Sequence, residues 1–371
     1  MKVRSPREHL LQAFQVAAAV VPSRSTKDIL RNVKLEVTED GGNISGTDLE
    51  VGIQVALGEV EVLAPGTVLL PVDRFGSILR ECGDDALEIE SDGQTIRICG
   101  ASSQFQLPSS NPDEYPPVPK FEEESYFQLS APLLRQLVRR TVFATETESS
   151  RYALGGVLLE FAEKTVTAVG TDGRRLARQE GPIERVGEPG DEQMPIIPAR
   201  AMTVIERALG DNEEAAQVAA RANDVLIRAG GATLYSRLVE GRFPRWRDVF
   251  PRDPGGARIE LPVGAFHSAV RQAAIVTSEE RRGVEFNFAD GKVTLTAHGA
   301  ERGESLVEMP ISYDGEQQAV DLDPRYVSDF LRVLDQEKTF TMELRGSDSA
   351  AVCVTDDGYG YVIMPLARER R

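Results

Sequence analysis

Two short turns carry the carboxylates best placed to do chemistry. Gly46-Thr47-Asp48-Leu49-Glu50 and Gly170-Thr171-Asp172-Gly173-Arg174-Arg175-Leu176 each follow a short alternating run. Two carboxylates meeting in one cleft could act as acid and base. These two stand at matching places in separate stretches, which marks a repeat rather than a shared site. Each Asp is therefore expected to hold its own turn by accepting backbone N–H groups. Other catalytic chemistry finds no foothold. His9, His267 and His298 are far apart, and no His/Cys cluster has zinc spacing. Neither a phosphate-binding Gly-x-x-x-x-Gly-Lys loop nor a Gly-x-Ser-x-Gly elbow is present. The reading is a non-enzyme without cofactor or metal. A carboxylate-based hydrolase is the weaker alternative, and it would need Asp172 for turnover.

The elements that would position these turns recur three times in the 371 residues, a length that favours two or three domains. The first copy opens with a helix expected over residues 5–20, with Ser5 as N-cap, Pro6 at its first position and Glu8 closing a capping box. Strands follow near residues 33–37, 44 and 67–71, then a helix over 73–81, then strands at 87–89, 96–98 and 105–107. A second copy restarts at Ser130, which caps a helix with Leu133, Leu134, Leu137 and Val138 on one face. Strands are expected at 156–161 and 165–169, a helix after Pro198, and strands at 225–228 and 233–239. The third restarts at Leu261-Pro262-Val263. It continues through a hairpin around Asp290-Gly291, a helix capped by Asp323, and strands at 340–344, 351–354 and 361–364. Second-half helices begin near 73, 199 and 323, intervals of 126 and 124 residues, one third of the chain. Pro-rich seams at 111–119 and 251–256 suggest domains 1–122, 123–253 and 254–371. Two helices and antiparallel strands per copy make an α+β fold.

The formal charge is −17, which taken alone argues against nucleic acid. Its distribution argues otherwise. The six expected helices carry eleven arginines against six carboxylates, a net +5 that leaves −22 on the remainder. A helical layer facing a polyanion would have this pattern. No run of about 18 apolar residues suits a membrane span, and residues 1–8 lack the apolar core of a signal peptide. The scattered Cys82, Cys99 and Cys353 read as thiols of a reducing cytoplasm.

Three such copies, Arg7-Glu8-His9-Leu10-Leu11, the two Gly-Thr-Asp turns, Leu238-Val239-Glu240-Gly241-Arg242-Phe243-Pro244 and the ending Tyr361-Val362-Ile363-Met364-Pro365-Leu366 together resemble the bacterial sliding-clamp family, the beta subunits of DNA polymerase III. The resemblance runs along essentially the whole chain. It implies a DNA clamp fold closing as a head-to-tail homodimer ring around duplex DNA, held without sequence specificity. Twelve helices spaced about 9 Å apart would leave a hole of roughly 24 Å. Implied partners are the replicative polymerase, the clamp loader, and repair and translesion polymerases. Partners would bring a short peptide to a pocket of Leu154, Thr171, Gly173, Arg174, Arg175, Leu176, Pro244, Val249, Val362, Ile363, Met364, Pro365 and Leu366. Arg175 would offer donors to the peptide, and Met364 would make the lining adaptable. Arg24 and Tyr152 match family DNA contacts. The helical Arg74, Arg80, Arg135, Arg139, Arg140, Arg200, Arg207 and Arg271 complete the expected DNA face. Phe105 and Leu107 of one subunit would meet Ile275 and Val276 of the other. Departures from the family pattern fall at Glu148, Ala153, Asp248 and the tail 367–371. The competing reading is an acidic repeat scaffold that binds proteins but never encircles DNA.

Overall fold

The computed structural model describes residues 1–146, 153–190, 193–209, 215–250, 255–279, 281–299 and 302–366. Its helices are α1 (Arg7–Ala18), α2 (Val72–Glu81), α3 (Ala131–Thr141), α4 (Ala199–Ala208), the single turn α5 (Trp246–Val249), α6 (Val263–Ala273) and α7 (Pro324–Arg332). Contacts group the chain into two compact units. One holds residues 1–135 and 183–238, the other 136–182 and 239–371.

The first unit contains a nine-stranded antiparallel sheet. Its order is Glu184–Val186, Tyr126–Ser130, Ala215–Ala220, Asp224–Ala229, Ala232–Arg237, Val51–Ala56, Gly41–Thr47, Asn32–Thr38 and Gly66–Pro71. Strands of the second copy thus continue a sheet of the first, through the pairing of Leu234 with Ile53. A five-stranded sheet, Glu61–Ala64, Lys2–Pro6, Ala86–Ser91, Thr95–Cys99 and Gln104–Pro108, completes the first copy. Leu10, Phe14, Leu35, Ile44, Phe75, Ile89 and Ile98 fill the core beneath α1 and α2, with Phe14 and Phe75 edge to face at 5.3 Å.

The second unit is built likewise. Gly156–Phe161, Thr165–Thr171, Arg175–Pro182, Gly360–Ile363, Ala351–Val354, Thr339–Leu344 and Ala257–Pro262 form consecutive antiparallel neighbours. A four-stranded sheet runs Gly303–Pro310, Lys292–Gly299, Val284–Ala289 and Gln318–Leu322. The expected hairpin is present. Ala289 pairs with Lys292 around Asp290 (φ 50°) and Gly291 (φ 74°), the left-handed pair that a two-residue hairpin requires. Asp323 caps α7 by accepting from Arg325 N, and Ser130 accepts from Leu133 N at the start of α3.

One expectation fails at the N-terminus. Residues Lys2–Pro6 form a strand between two neighbours, and Ser5 is buried, donating to the Glu59 carbonyl at 2.9 Å. There is no capping box. Pro6 precedes the helix, and the Arg7 N–H is satisfied by the Asp85 carbonyl. Pairing of the alternating Val3 and Ser5 outweighs the local helix signal.

The repeat has a steric signature that the motif only partly reveals. A Cβ on Gly46 would lie 2.2 Å from the Ala17 carbonyl oxygen, and one on Gly170 would lie 2.1 Å from that of Thr141. In the third copy, which lacks Thr-Asp, a Cβ on Gly299 would lie 2.2 Å from the Val276 oxygen. At each site a strand passes so close to the end of a helical segment that only glycine fits.

Candidate functional site

The expected pocket residues all belong to the second unit, so their mutual geometry can be built up from the turn at 171–175. Thr171 Oγ1 donates to the Arg175 carbonyl at 2.6 Å and accepts from Gly173 N. Asp172 Oδ1 accepts from the backbone N–H groups of Arg174 (2.9 Å) and Arg175 (3.0 Å). The Thr171 hydroxyl and both Asp172 carboxylate oxygens have local work, so Asp172 is a structural carboxylate. The echo in the first unit repeats the pattern. Thr47 Oγ1 donates to Val51 O, and Asp48 Oδ1 accepts from Glu50 N and Val51 N. Leu49 there adopts φ 82° where Gly173 has 84°.

Beyond the turn, the strand Arg175–Pro182 pairs with the C-terminal strand. Arg175 faces Ile363, Leu176 faces Val362, Ala177 faces Tyr361 and Arg178 faces Gly360. Side chains alternate across a strand, so this register sorts the candidates onto two faces. Ala177, Tyr361 and Ile363 enter the core against α6 and α7. Ile363 is thus core rather than pocket lining, a correction forced by its parity with Tyr361. Leu176 and Val362 lie on the opposite face.

That face is bounded by the segment around α5. Phe250 sits over Gly360, where a Cβ would lie 2.3 Å from the ring, and Arg178 lies 5.9 Å from the Trp246 ring and 5.7 Å from Phe250. Glu160 anchors α5. It accepts from Trp246 Nε1 at 3.3 Å and from both Arg247 terminal nitrogens, at 2.9 and 2.5 Å. At the other end, Met364 N donates to the Arg174 carbonyl and Leu366 N to Asp321. Four residues of strand separate the two ends, about 13 Å, a span suited to about four residues of extended peptide. Val249 and Met364 are each 45% exposed, whereas Leu176 and Val362 are almost fully covered. Thr171 and Leu154 are buried, Pro365 and Leu366 half-buried, and Pro244, Asp248, Gly173 and Arg174 exposed. Ala153 touches Gly241 at 3.5 Å from a notional Cβ, joining the residues before Leu154 to the segment carrying Pro244.

Arg175 is not the free donor expected of it. Its side chain is 10% exposed, and all three guanidinium nitrogens are engaged, with Asp172 Oδ2 (3.0 Å), Asp329 Oδ2 (2.7 Å) and the Phe143 carbonyl (2.6 Å). Burial works against its charge, and the surrounding Tyr361, Asp329 and Asp172 oxygens more than offset it, so its pKa lies above the ordinary value. The exposed Arg174 is the available cation. Its pKa is raised first by a hydrogen bond with Tyr326, a neighbour that the sequence reading missed because it lies 152 residues away on α7.

The expected DNA face divides. Arg24, Arg74, Arg80, Arg139, Arg207 and Arg271 are exposed. Arg200 is exposed too, but it reaches the Asp48 carboxylate (2.5 Å) and the Val20 carbonyl (2.7 Å) just beyond α1. Arg135 donates to Leu209 O. Arg140 is committed to Gln179 and Asp357 and lies 4.9 Å over the Tyr359 ring. Helical spacing alone could not separate these three, because their acceptors come from distant segments. Tyr152, Glu148 and residues 367–371 lie outside the described residues.

At the expected seam, Leu107 is buried in the first unit's core, and Phe105 packs partly against it. Their strand, Gln104–Pro108, is an edge of its sheet. In the second unit Ile275 is 72% exposed and Val276 half-buried. The edge strand Gly303–Pro310 adds Leu306, 68% exposed and not singled out from sequence.

Three family models match in chain order: the N-terminal domain of the DNA polymerase III beta subunit over residues 1–119, its central domain over 128–245 and its C-terminal domain over 247–367. A beta sliding clamp of Pseudomonas putida is 31% identical over 368 residues, covering 97% of this chain and 98% of the relative. That of Escherichia coli K12 is 27% identical, covering 99% and 100%. Among solved structures, the DNA polymerase sliding clamp from Bacillus subtilis matches with a TM-score of 0.88 at 25% identity, covering 99% of each chain. A sliding clamp from Pseudomonas aeruginosa bound to griselimycin matches with a TM-score of 0.88 at 28% identity, covering 99% of this chain and 100% of that one.

Proposed function

Because the chain belongs to the DNA polymerase III beta-subunit family, we propose that it is a sliding clamp, a non-catalytic processivity factor that encircles duplex DNA and tethers the replicative polymerase. The observation that carries this reading is the match of all three domains, in order, along essentially the whole chain. Domains 1–122, 123–253 and 254–371 would each contribute two helices to the lining of a head-to-tail dimer ring. Enclosure supplies retention, so contact with DNA need only be weak. The exposed arginines provide sequence-independent phosphate attraction, while the acidic remainder repels stray DNA. The seam would form between edge strands Gln104–Pro108 and Gly303–Pro310 of neighbouring subunits. An unpaired, apolar-bearing edge such as that of Leu306 is the surface a second copy would cover. The groove at Leu176, Val362 and Met364 would take peptide tails of the polymerase, the clamp loader and repair and translesion polymerases in the cytoplasm. Solution mass separates a ring from an acidic scaffold. A ring requires a dimer of about 81 kDa from two 40.6 kDa chains, whereas a monomer at micromolar concentration contradicts it.

A further inference from the structure

We propose that Asp329 on α7 is a positioning residue of the peptide groove, acting through Arg175; this rests on the pocket reading above. Arg175 begins the groove-floor strand, yet its side chain points to the core face, away from Leu176 and Val362. There it joins three separate segments. Its Nε bonds the Asp172 carboxylate of its own turn, its Nη2 bonds Phe143 O just after α3, and its Nη1 bonds Asp329 Oδ2 at 2.7 Å. The guanidinium also lies over the Tyr326 ring at 4.5 Å. The same helix turn receives a second tie, from Tyr361 OH to Tyr326 O at 3.1 Å, and Tyr361 stacks on Phe330 at 5.1 Å with rings only 8° apart.

The consequence is a fixed wall. The turn that presents Gly173 and the exposed Arg174, and whose Arg174 carbonyl holds Met364 N, is tied to α7 through the nearly buried Arg175, beside the bond of Arg174 to Tyr326. Of the two carboxylates on Arg175, Asp172 belongs to the turn itself and cannot fix the turn against anything else. Asp329 is the carboxylate that ties it to another element. Its second oxygen meets Arg332 at 3.2 Å, but that side chain is 70% exposed and contacts no groove residue by this route. A charge-assisted bond to a buried guanidinium is directional, so losing it lets the turn shift and the pre-formed groove loosen.

The test uses the full-length protein and, as probe, a fluorescent synthetic peptide of the C-terminal residues of the replicative polymerase from the same organism. Anisotropy gives Kd, and thermal melting is followed in parallel. Asp329→Asn keeps the shape and removes the charge; it should weaken binding about tenfold at a temperature where melting shows the variant still fully folded. Asp329→Glu should recover most of the loss. Arg332→Ala, which cuts only the exposed arm, should stay within about twofold. Arg175→Lys should also weaken binding, and the double variant Asp329→Asn/Arg175→Lys should be no worse than the poorer single. That non-additivity is the mark of a shared strut and would not arise from general loosening. If Met364→Ala weakens binding but Asp329→Asn leaves it within twofold, this proposal is overturned alone. If Met364→Ala has no effect either, the pocket reading falls and takes the proposal with it.

Discussion

Gly170 and Gly173 stand three residues apart and should respond unequally to the same substitution. A Cβ on Gly170 would approach the Thr141 carbonyl oxygen to 2.1 Å and its carbon to 3.0 Å. Ordinary carbon–oxygen contacts begin near about 3.3 Å, so roughly 1.2 Å must be made up. Both partners are backbone, one in a paired strand and the other at the end of α3, and neither has a rotamer to change. Overpacking of this kind costs about 3 kcal/mol, offset by under about 1 kcal/mol from restricting the unfolded chain. Gly170→Ala should therefore lose about 2–3 kcal/mol, or roughly 3–4 °C in melting midpoint for a chain of 371 residues. Gly173 has φ 84° but nothing within 4 Å of its notional Cβ. Its alanine meets no neighbour and costs only the left-handed backbone, about 1 kcal/mol. Leu49 already adopts this conformation in the first copy. The assay is thermal unfolding at one fixed protomer concentration, with amide exchange followed at the end of α3. A Gly170→Ala protein melting within about 1 °C of the parent, or a Gly173→Ala protein melting as low as the Gly170→Ala one, would refute the reasoning.

Other expectations follow from the same geometry. Asp84 has its pKa held down to about 2, first by the Ser103 hydroxyl and then by the Cys82 thiol and Ser102. The folded value lies below the unfolded one of about 3.9, so this carboxylate stabilises the fold above about pH 4 and the contribution is lost as pH falls towards 2. Ser103→Ala should shift acid unfolding, followed by circular dichroism, to higher pH. Deleting residues 364–371 should abolish binding of the polymerase-tail peptide, read by anisotropy, while leaving the solution mass of a dimer. Leu306→Asp should lower the dimer fraction in sedimentation and leave peptide affinity unchanged, since a charge on the edge strand opposes pairing with a second copy.

Local chemistry made much of the architecture legible. Asp323, Ser130 and Asp290-Gly291 each act through neighbours within a few residues, and the structure has them where the sequence puts them. What escaped depends on distant partners. Ser5 and Pro6 look like a helix start until strands 61–64 and 86–91 pair with residues 2–6. The strand Arg175–Pro182 has arginines at 175 and 178, which obscure its alternation, yet it pairs with the C-terminal strand. Without it the opposite parities of Val362 and Ile363 cannot be assigned, and Arg175 looks like a donor facing the ligand. Arg140 and Arg200 likewise resemble solvated helix charges until Asp357 and Asp48 arrive from elsewhere in the chain. The third copy shares the glycine, Gly299, because close approach to Val276 requires glycine.

Topology is the central claim, and retention on DNA measures it most directly. The labelled protein is loaded by a matched clamp loader onto a nicked circular duplex, freed of unbound protein, and followed before and after a single restriction cut. Enclosure without tight grip predicts stable residence on the circle and rapid loss from the linear ends. Equal retention on circular and linear DNA would contradict a sliding ring and point instead to ordinary surface binding.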